Sequence, residues 1–275
     1  MRTLKLTLAY DGTEFVGWQR QAEGRSVQGV LEDAVSRLDG QPVAIVGAGR
    51  TDAGVHATGQ VTSFMLHASE LDQQTMRRAL NAVLPWDVRV LAVADAAEGF
   101  HARYDAVGKT YHYRVINGPV ASPFAARYAW HIPWSLDLAA MDDAARRLVG
   151  EHDFSAFQST GGDVRSTTRE IFESSIARIA TDRSALMPAI VPSIAEMEGH
   201  AFVYSVTGSG FLRHMVRAIV GTLVEIGSGR NGPDRIDALL AERNRADAGQ
   251  TAPAQGLCLA SVRYPSDANQ VAAHR

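Results

Sequence analysis

An aspartate set in a glycine-rich turn beside an arginine is the most chemically suggestive feature of this 275-residue sequence. The run is Gly47-Ala48-Gly49-Arg50-Thr51-Asp52-Ala53-Gly54-Val55-His56, with Gln60 following. Its glycines first suggest a loop that cradles phosphate. A dinucleotide fingerprint, however, needs a third glycine where Asp52 stands and a helix afterwards, and here the pattern runs on into a strand. The terminal Gly-Lys-Ser/Thr of a nucleoside-triphosphate loop is missing as well. The nine histidines show no His-Glu-x-x-His spacing and one cysteine cannot build a zinc knuckle, so no metal is implied. What remains is a carboxylate on a tight turn between strands, where glycines permit unusual backbone angles and close approach of a bulky ligand. Such an aspartate either acts on that ligand as a nucleophile or hydrogen-bonds its own turn.

The composition is that of an ordinary globular protein, 46% hydrophobic and 21% charged. It supports a sizeable core in one large or two smaller domains. The opening Leu4, Leu6 and Leu8 alternate with Lys5 and Thr7, and no apolar run is long enough to span a bilayer, so a cytoplasmic location is expected. Cys258, within Leu257-Cys258-Leu259-Ala260, reads as a packed core thiol. A net charge of -3 does not announce a nucleic-acid binder. The distribution of cations matters more, because a patch of one sign holds a potential that the net charge hides. Arg50, Arg77, Arg78, Arg103, Lys109, Arg114, Arg165, Arg169, Arg213 and Arg217 recur near the motifs, whereas Asp137, Asp142, Asp143, Glu151 and Asp153 concentrate elsewhere. These arginines either meet phosphate or form a solvated surface.

The elements that must position Asp52 follow from periodicity. A period-two strand at the N-terminus leads through Asp11-Gly12 to a helix capped by Ser26, with Val27, Val30, Leu31, Ala34, Val35 and Leu38 at helical spacing and Gly40 as its stop. Then come a short strand at 43–46, the glycine-rich connection, a strand at 60–66, a helix at 71–83 and a strand at 88–93. The order β-α-β-β-α-β is traced again from Lys109: strand 111–116, helix 138–149, strands 171–179 and 202–207, helix 211–226, a short helix at 236–240 and a last strand at 257–263. The expected fold is therefore α+β, two ferredoxin-like halves with antiparallel sheets around a central cleft. The halves span 1–105 and 106–265, with a frayed tail at 266–275 and a surface insertion at 181–200. Trp18, Trp86, Trp130 and Trp134 read as core or loop anchors.

Across this framework the chain resembles the tRNA pseudouridine synthase A family. Gly49-Arg50-Thr51-Asp52-Ala53-Gly54-Val55-His56 with Gln60-Val61 looks like its catalytic motif. Tyr10-Asp11-Gly12-Thr13, Gly17-Trp18-Gln19-Arg20-Gln21 and Ser26-Val27-Gln28 are similar to its opening. Phe100-His101-Ala102-Arg103 and Lys109-Thr110-Tyr111-His112-Tyr113-Arg114 resemble its middle, and Phe211-Leu212-Arg213-His214-Met215-Val216-Arg217 with Gly256-Leu257 its end. The resemblance implies the pseudouridine synthase fold, a homodimer, no cofactor, and a tRNA substrate whose anticodon-arm uridines at positions 38, 39 and 40 are isomerised. It implies Asp52 as nucleophile, Arg50 as the residue that helps displace the target nucleotide, Tyr111 as a stacking platform, Arg217 as the aspartate's partner, and Leu257 among the substrate-binding residues. Ala57 after His56, where glycine is frequent, and the length of 181–200 depart from the pattern.

These residue types suit that reaction. Uridine becomes pseudouridine when the C1′ to N1 bond breaks, the base turns, C1′ joins C5, and the C5 proton leaves. A carboxylate can attack C1′ or C6, and it must be ionised to do so, a form that a neighbouring guanidinium favours. The nucleotide must leave its stack at a cost of a few kcal/mol, and stacking on an aromatic side chain recovers roughly 1–3 kcal/mol. Tyr113 falls on the same strand face as Tyr111 and reads as packing beside the site. Two other readings stay open at this level, a silent RNA-binding protein and a small-molecule enzyme with an aspartate nucleophile.

Overall fold

The computed structural model describes residues 2–159, 165–179 and 200–265. In chain order the elements are β1 (Arg2–Tyr10), α1 (Val27–Asp39), β2 (Val46–Gly47), β3 (His56–Leu66), α2 (Gln73–Val83), β4 (Val88–Asp95), β5 (Gly108–Asn117), α3 (Pro123–Ala126), β6 (Trp130–Ile132), α4 (Leu138–Arg146), β7 (Gly150–Asp153), β8 (Thr168–Arg178), β9 (His200–Gly208), α5 (Met215–Gly227), α6 (Arg235–Glu242) and β10 (Leu257–Arg263). The chain forms two compact units, Met1–Lys109 with Cys258–Arg275, and Thr110–Leu257. Helices and strands mix in both, so the α+β class holds. None of the described helices is long and apolar enough to cross a membrane.

In the first unit β1 runs antiparallel to both β3 and β4, and β2 pairs antiparallel with the opposite side of β3. The inward Leu4, Leu6, Leu8 and Tyr10 are buried, as the period-two alternation demands. Ser26 caps α1 by accepting from the Gly29 N–H, and Gly40 ends it in a left-handed conformation, φ 76°. Val27, Leu31, Ala34 and Val35 form its buried face. Asp72 caps α2 through the Thr75 N–H at 2.9 Å. β10 lies parallel to β3, with Cys258 opposite His56.

The second unit is built on the strand order β5-β9-β8-β7, antiparallel from β9 to β7, with β6 parallel to β5. Its central element is α5, buried nearly all round and therefore interior rather than amphipathic. Asp137 caps α4 by accepting from the Ala139 and Ala140 N–H groups, and α4 packs against α5 and β8. The segment before β10 is laid along α5: the Gly249 N–H donates to Thr222 Oγ1 at 2.9 Å, and the Ala252 N–H to the Arg217 carbonyl at 3.1 Å.

Several expectations change at this level. The strand expected at 43–46 shrinks to Val46–Gly47, because the Val43 N–H donates to Ser36 Oγ and the Ile45 N–H to Glu32 Oε1, side chains of α1 in place of a ladder. The helix expected from Phe211 starts only at Met215, since His214 takes a left-handed φ of 61°. The last strand, traced as the close of the second repeat, pairs with β3 in the first unit, and parallel, so the sheets are not wholly antiparallel. Alternation along β10 buries Leu257 and Leu259 and leaves Cys258 only half-buried, not a core thiol, with its Sγ 3.8 Å from Thr58 Oγ1. Trp18 is a core residue, but Trp86 and Trp134 are 70% and 47% exposed. The 181–199 insertion and the 266–275 tail lie outside the described residues.

The end of α1 is tied to the chain after β3 by a buried carboxylate. Asp39 is 3% exposed and accepts from the His67, Ala68 and Ser69 backbone N–H groups, the last at 2.8 Å. Burial alone would raise its pKa, yet these donors together lower it below the usual carboxylate value. A depressed pKa contributes stability that is present above the unfolded value, about 3.9, and lost as pH falls through the folded one. Asp39→Asn should therefore destabilise the protein by about 1–3 kcal/mol near neutrality. In urea unfolding followed from pH 7 to 2.5, the gap between parent and variant should narrow below about pH 4. A gap that is absent at pH 7, or constant to pH 2.5, would contradict this role.

Candidate active site

The turn that carries Asp52 lies between β2 and β3, and its backbone is held on both sides. The Ala48 N–H donates to the Val61 carbonyl at 2.8 Å, and the Gln60 side-chain amide donates to the Gly49 carbonyl at 2.9 Å. The Thr51 carbonyl accepts from the Trp18 N–H at 2.9 Å, and the Gly54 N–H donates to the Phe15 carbonyl at 3.3 Å. The Val55 N–H closes the turn on the Asp52 carbonyl at 3.1 Å. Arg50 is exposed and Asp52 half-buried, while Thr51 between them is buried with its Oγ1 2.9 Å from the Tyr10 hydroxyl.

These bonds need the loop after β1 to approach backbone to backbone, and that loop supplies glycine where it must. A Cβ on Gly12 would overlap the Val55 carbonyl oxygen. Gly17 combines φ +114° with space for no side chain, since a Cβ there would sit 2.8 Å from the Thr51 oxygen. Gly12 also donates its N–H to His56 Nδ1 at 3.0 Å, and Asp11 Oδ1 lies 3.2 Å from the same nitrogen. The loop is fastened from beneath by a two-pronged Arg25–Asp87 pair at 2.6 and 2.8 Å, with the Arg25 guanidinium 4.2 Å from the Phe15 ring centre. Gly47 admits the Trp18 ring, 2.6 Å from its would-be Cβ, so this glycine makes room for packing and not for a ligand.

The second unit contains Tyr111, Arg217 and Leu257. Tyr111 on β5 is buried and meets Phe211 edge-on, ring centres 5.1 Å apart. Two residues on, Tyr113 is fully buried and donates its hydroxyl to the Pro253 carbonyl at 2.8 Å, and burial pushes its phenol well above the ordinary range. Arg217 is half-buried in the first turn of α5 and donates from Nε to the Ala252 carbonyl at 2.7 Å. Tyr113 and Arg217 thus grip successive carbonyls of the segment that leads into the buried Leu257. Arg213 precedes α5, so helical spacing does not align it with Arg217; it is exposed beside His214, whose Nδ1 lies 2.9 Å from Ser159 Oγ.

Charge is arranged unevenly. Arg50, Arg77, Arg78 and Arg103 are exposed in the first unit, as are Arg165 and Arg213 in the second. The acidic residues of α4 are instead matched locally, Asp142 by Arg146 and Asp143 by Arg147, which also reaches Asp237. Asp153 has Arg243 within 3.3 Å. Among the described residues no group of three or more His, Cys, Asp or Glu gathers as a metal cluster would. Sequence reasoning singled out Asp52 and noted Gln60 nearby but did not connect Tyr10 with this turn. Its signal was its place in the buried register of β1, which ends directly beneath Thr51.

Comparison with known proteins places the chain as a whole. A family model described as tRNA pseudouridine synthase matches residues 7–105 and 144–265. The protein named tRNA pseudouridine synthase A from Syntrophotalea carbinolica is 45% identical across 97% of this chain and 98% of its own length. Its namesake from Moorella thermoacetica is 44% identical across 96% and 100%, and that from Geobacter sulfurreducens 42% identical across the same shares. A solved archaeal box H/ACA sRNP complex aligns at a TM-score of 0.30 and 10% identity over 81% of this chain and 43% of that one, a likeness too slight to carry an argument. On the strength of the family model and of relatives matched nearly end to end, the chain belongs to the tRNA pseudouridine synthase family.

Proposed function

We propose that this protein isomerises uridine to pseudouridine at positions 38, 39 and 40 of the tRNA anticodon arm, with Asp52 as the nucleophile. The observation that carries this reading is the half-buried aspartate on a turn whose backbone is hydrogen-bonded on both flanks. A nucleophile gains from being held in one geometry, because fixed orientation replaces part of the entropic barrier of the reaction. The catalytic-motif resemblance at residues 49–56 supports the same assignment. Arg50 assists displacement of the target nucleotide, Tyr111 stacks on the uracil, Arg217 is the cationic partner of the carboxylate, and Leu257 lies against the substrate. Attack by the Asp52 carboxylate at C1′ displaces N1, and the carboxylate leaves C1′ when the turned base bonds there through C5. Attack at C6 instead precedes cleavage of the C1′ to N1 bond, and the carboxylate leaves C6 after C5 has bonded to C1′. In both routes the C5 proton then departs.

In this reading the chain consists of two ferredoxin-like halves, an N-terminal one carrying Asp52 and a C-terminal one carrying Tyr111 and Arg217. The pairing of β1 with β3 and β4, and of β2 with β3, supports it for the first. The protein works in the cytoplasm, as a homodimer without cofactor; the last two parts of the proposal rest on the family resemblance. The exposed arginines contact phosphate.

Three outcomes test the reading. Asp52→Asn should abolish product in unmodified tRNA transcripts mapped chemically for pseudouridine, while tRNA affinity stays close to the parent's because phosphate contacts dominate it. Appreciable turnover, with deamidation excluded by mass, would sink the assignment. Affinity should fall by about tenfold or more between 50 and 200 mM salt through counterion release, and a flat response would remove the phosphate-binding surface. Arg217→Lys should retain measurable single-turnover activity because a cation remains, although the planar contact is lost, whereas Arg217→Met should lose about 100-fold. If Met matches the parent at saturating enzyme, Arg217 is not the partner of Asp52.

A further inference from the structure

The buried contacts behind Thr51 have a direction. The Gln60 side-chain oxygen accepts from the Val61 N–H at 3.2 Å and its nitrogen donates to the Gly49 carbonyl at 2.9 Å, so the amide orientation is set by two backbone groups. The same nitrogen lies 3.5 Å from the Tyr10 hydroxyl, and an amide nitrogen can only donate. Tyr10 accepts from Gln60, and of its two hydrogen-bond partners only Thr51 Oγ1, at 2.9 Å, can take the proton of this buried phenol. Tyr10 is 4% exposed, and burial holds its phenol above the ordinary range, so it stays a neutral donor across working pH. With its oxygen occupied by Tyr10, the Thr51 hydroxyl keeps one proton, directed away from the tyrosine, on the residue immediately before Asp52.

We propose that Gln60, Tyr10 and Thr51 form a one-way hydrogen-bond relay that fixes the Asp52 turn and presents the Thr51 hydroxyl as a donor to an oxygen of the bound nucleotide. Gln60 and Tyr10 are positioning residues in this relay. Thr51 touches substrate. The inference deepens the functional reading above and rests on it. An unfixed hydroxyl would rotate freely; one that already accepts from Tyr10 has its own proton turned toward another acceptor, which suits an oxygen that gains negative charge as the glycosidic bond breaks.

The test uses single-turnover rates at saturating full-length enzyme, together with tRNA affinity and thermal stability, for Tyr10→Phe, Thr51→Val, Thr51→Ser and the double variant Tyr10→Phe/Thr51→Val. Thr51→Val should slow the reaction about 100-fold, in the range seen when one transition-state donor is removed, and Tyr10→Phe about tenfold. Affinity should stay within about twofold for both, since phosphate contacts carry most of it. Thr51→Ser should keep most of the rate, and the double variant should be no slower than Thr51→Val alone, because the two act as one unit. Tyr10→Phe at the parent rate, additive losses, or losses in Tm with unchanged rates would each overturn the relay. A parent enzyme that binds tRNA but forms no pseudouridine would instead overturn the functional reading. In that case Thr51→Val should leave the affinity unchanged too, and the relay's donor role falls with the reading.

Discussion

The geometry of the first unit depends on one backbone-to-backbone approach, that of the loop after β1 against the turn at residues 49–56. The Trp18 N–H on the Thr51 carbonyl and the Gly54 N–H on the Phe15 carbonyl are ordinary hydrogen bonds, each worth about 1 kcal/mol net. Their effect is larger than their energy because they can form only where no side chain intervenes. Gly12 and Gly17 meet that condition, and Arg25, Phe15 and Asp87 keep the loop pressed into place. A flexible surface turn becomes a rigid platform, the condition under which an aspartate can serve as a well-aimed group.

The second unit uses side chains where the first uses glycine. The segment ahead of β10 contributes little regular structure of its own, and its carbonyls at 252 and 253 are taken by Arg217 and Tyr113. A guanidinium and a buried phenol are strong donors that satisfy these two carbonyls. Arg217 is thereby held by a backbone bond as well as by its place on α5, so its loss removes packing and a carbonyl partner along with charge.

The charge pattern reconciles a negative total with an anionic substrate. Acidic side chains on α4 find arginines one turn away, Arg147 also reaches Asp237 of α6, and exposed pairs of this kind add little to stability while they neutralise each other's field. The exposed arginines of the first unit sit away from that cluster in sequence, and net charge says nothing of such local imbalance.

Much of this was legible in the residues. Alternation in Leu4-Leu6-Leu8 determined the first strand and which of its faces is buried, and Ser26 and Gly40 marked the ends of α1 because capping is a local matter of one side chain and one φ angle. The run around Asp52 was conspicuous for its chemistry alone. Tertiary structure decided the rest. Val43 and Ile45 looked like strand residues until α1 side chains claimed their N–H groups, and the residues from Phe211 looked helical until His214 turned left-handed. The pairing of β10 with β3, and the meeting of Tyr10, Thr51 and Gln60, join residues up to about 200 positions apart in sequence. No local pattern encodes such partners, because which donor meets which acceptor is settled only when the sheet and its loops are packed.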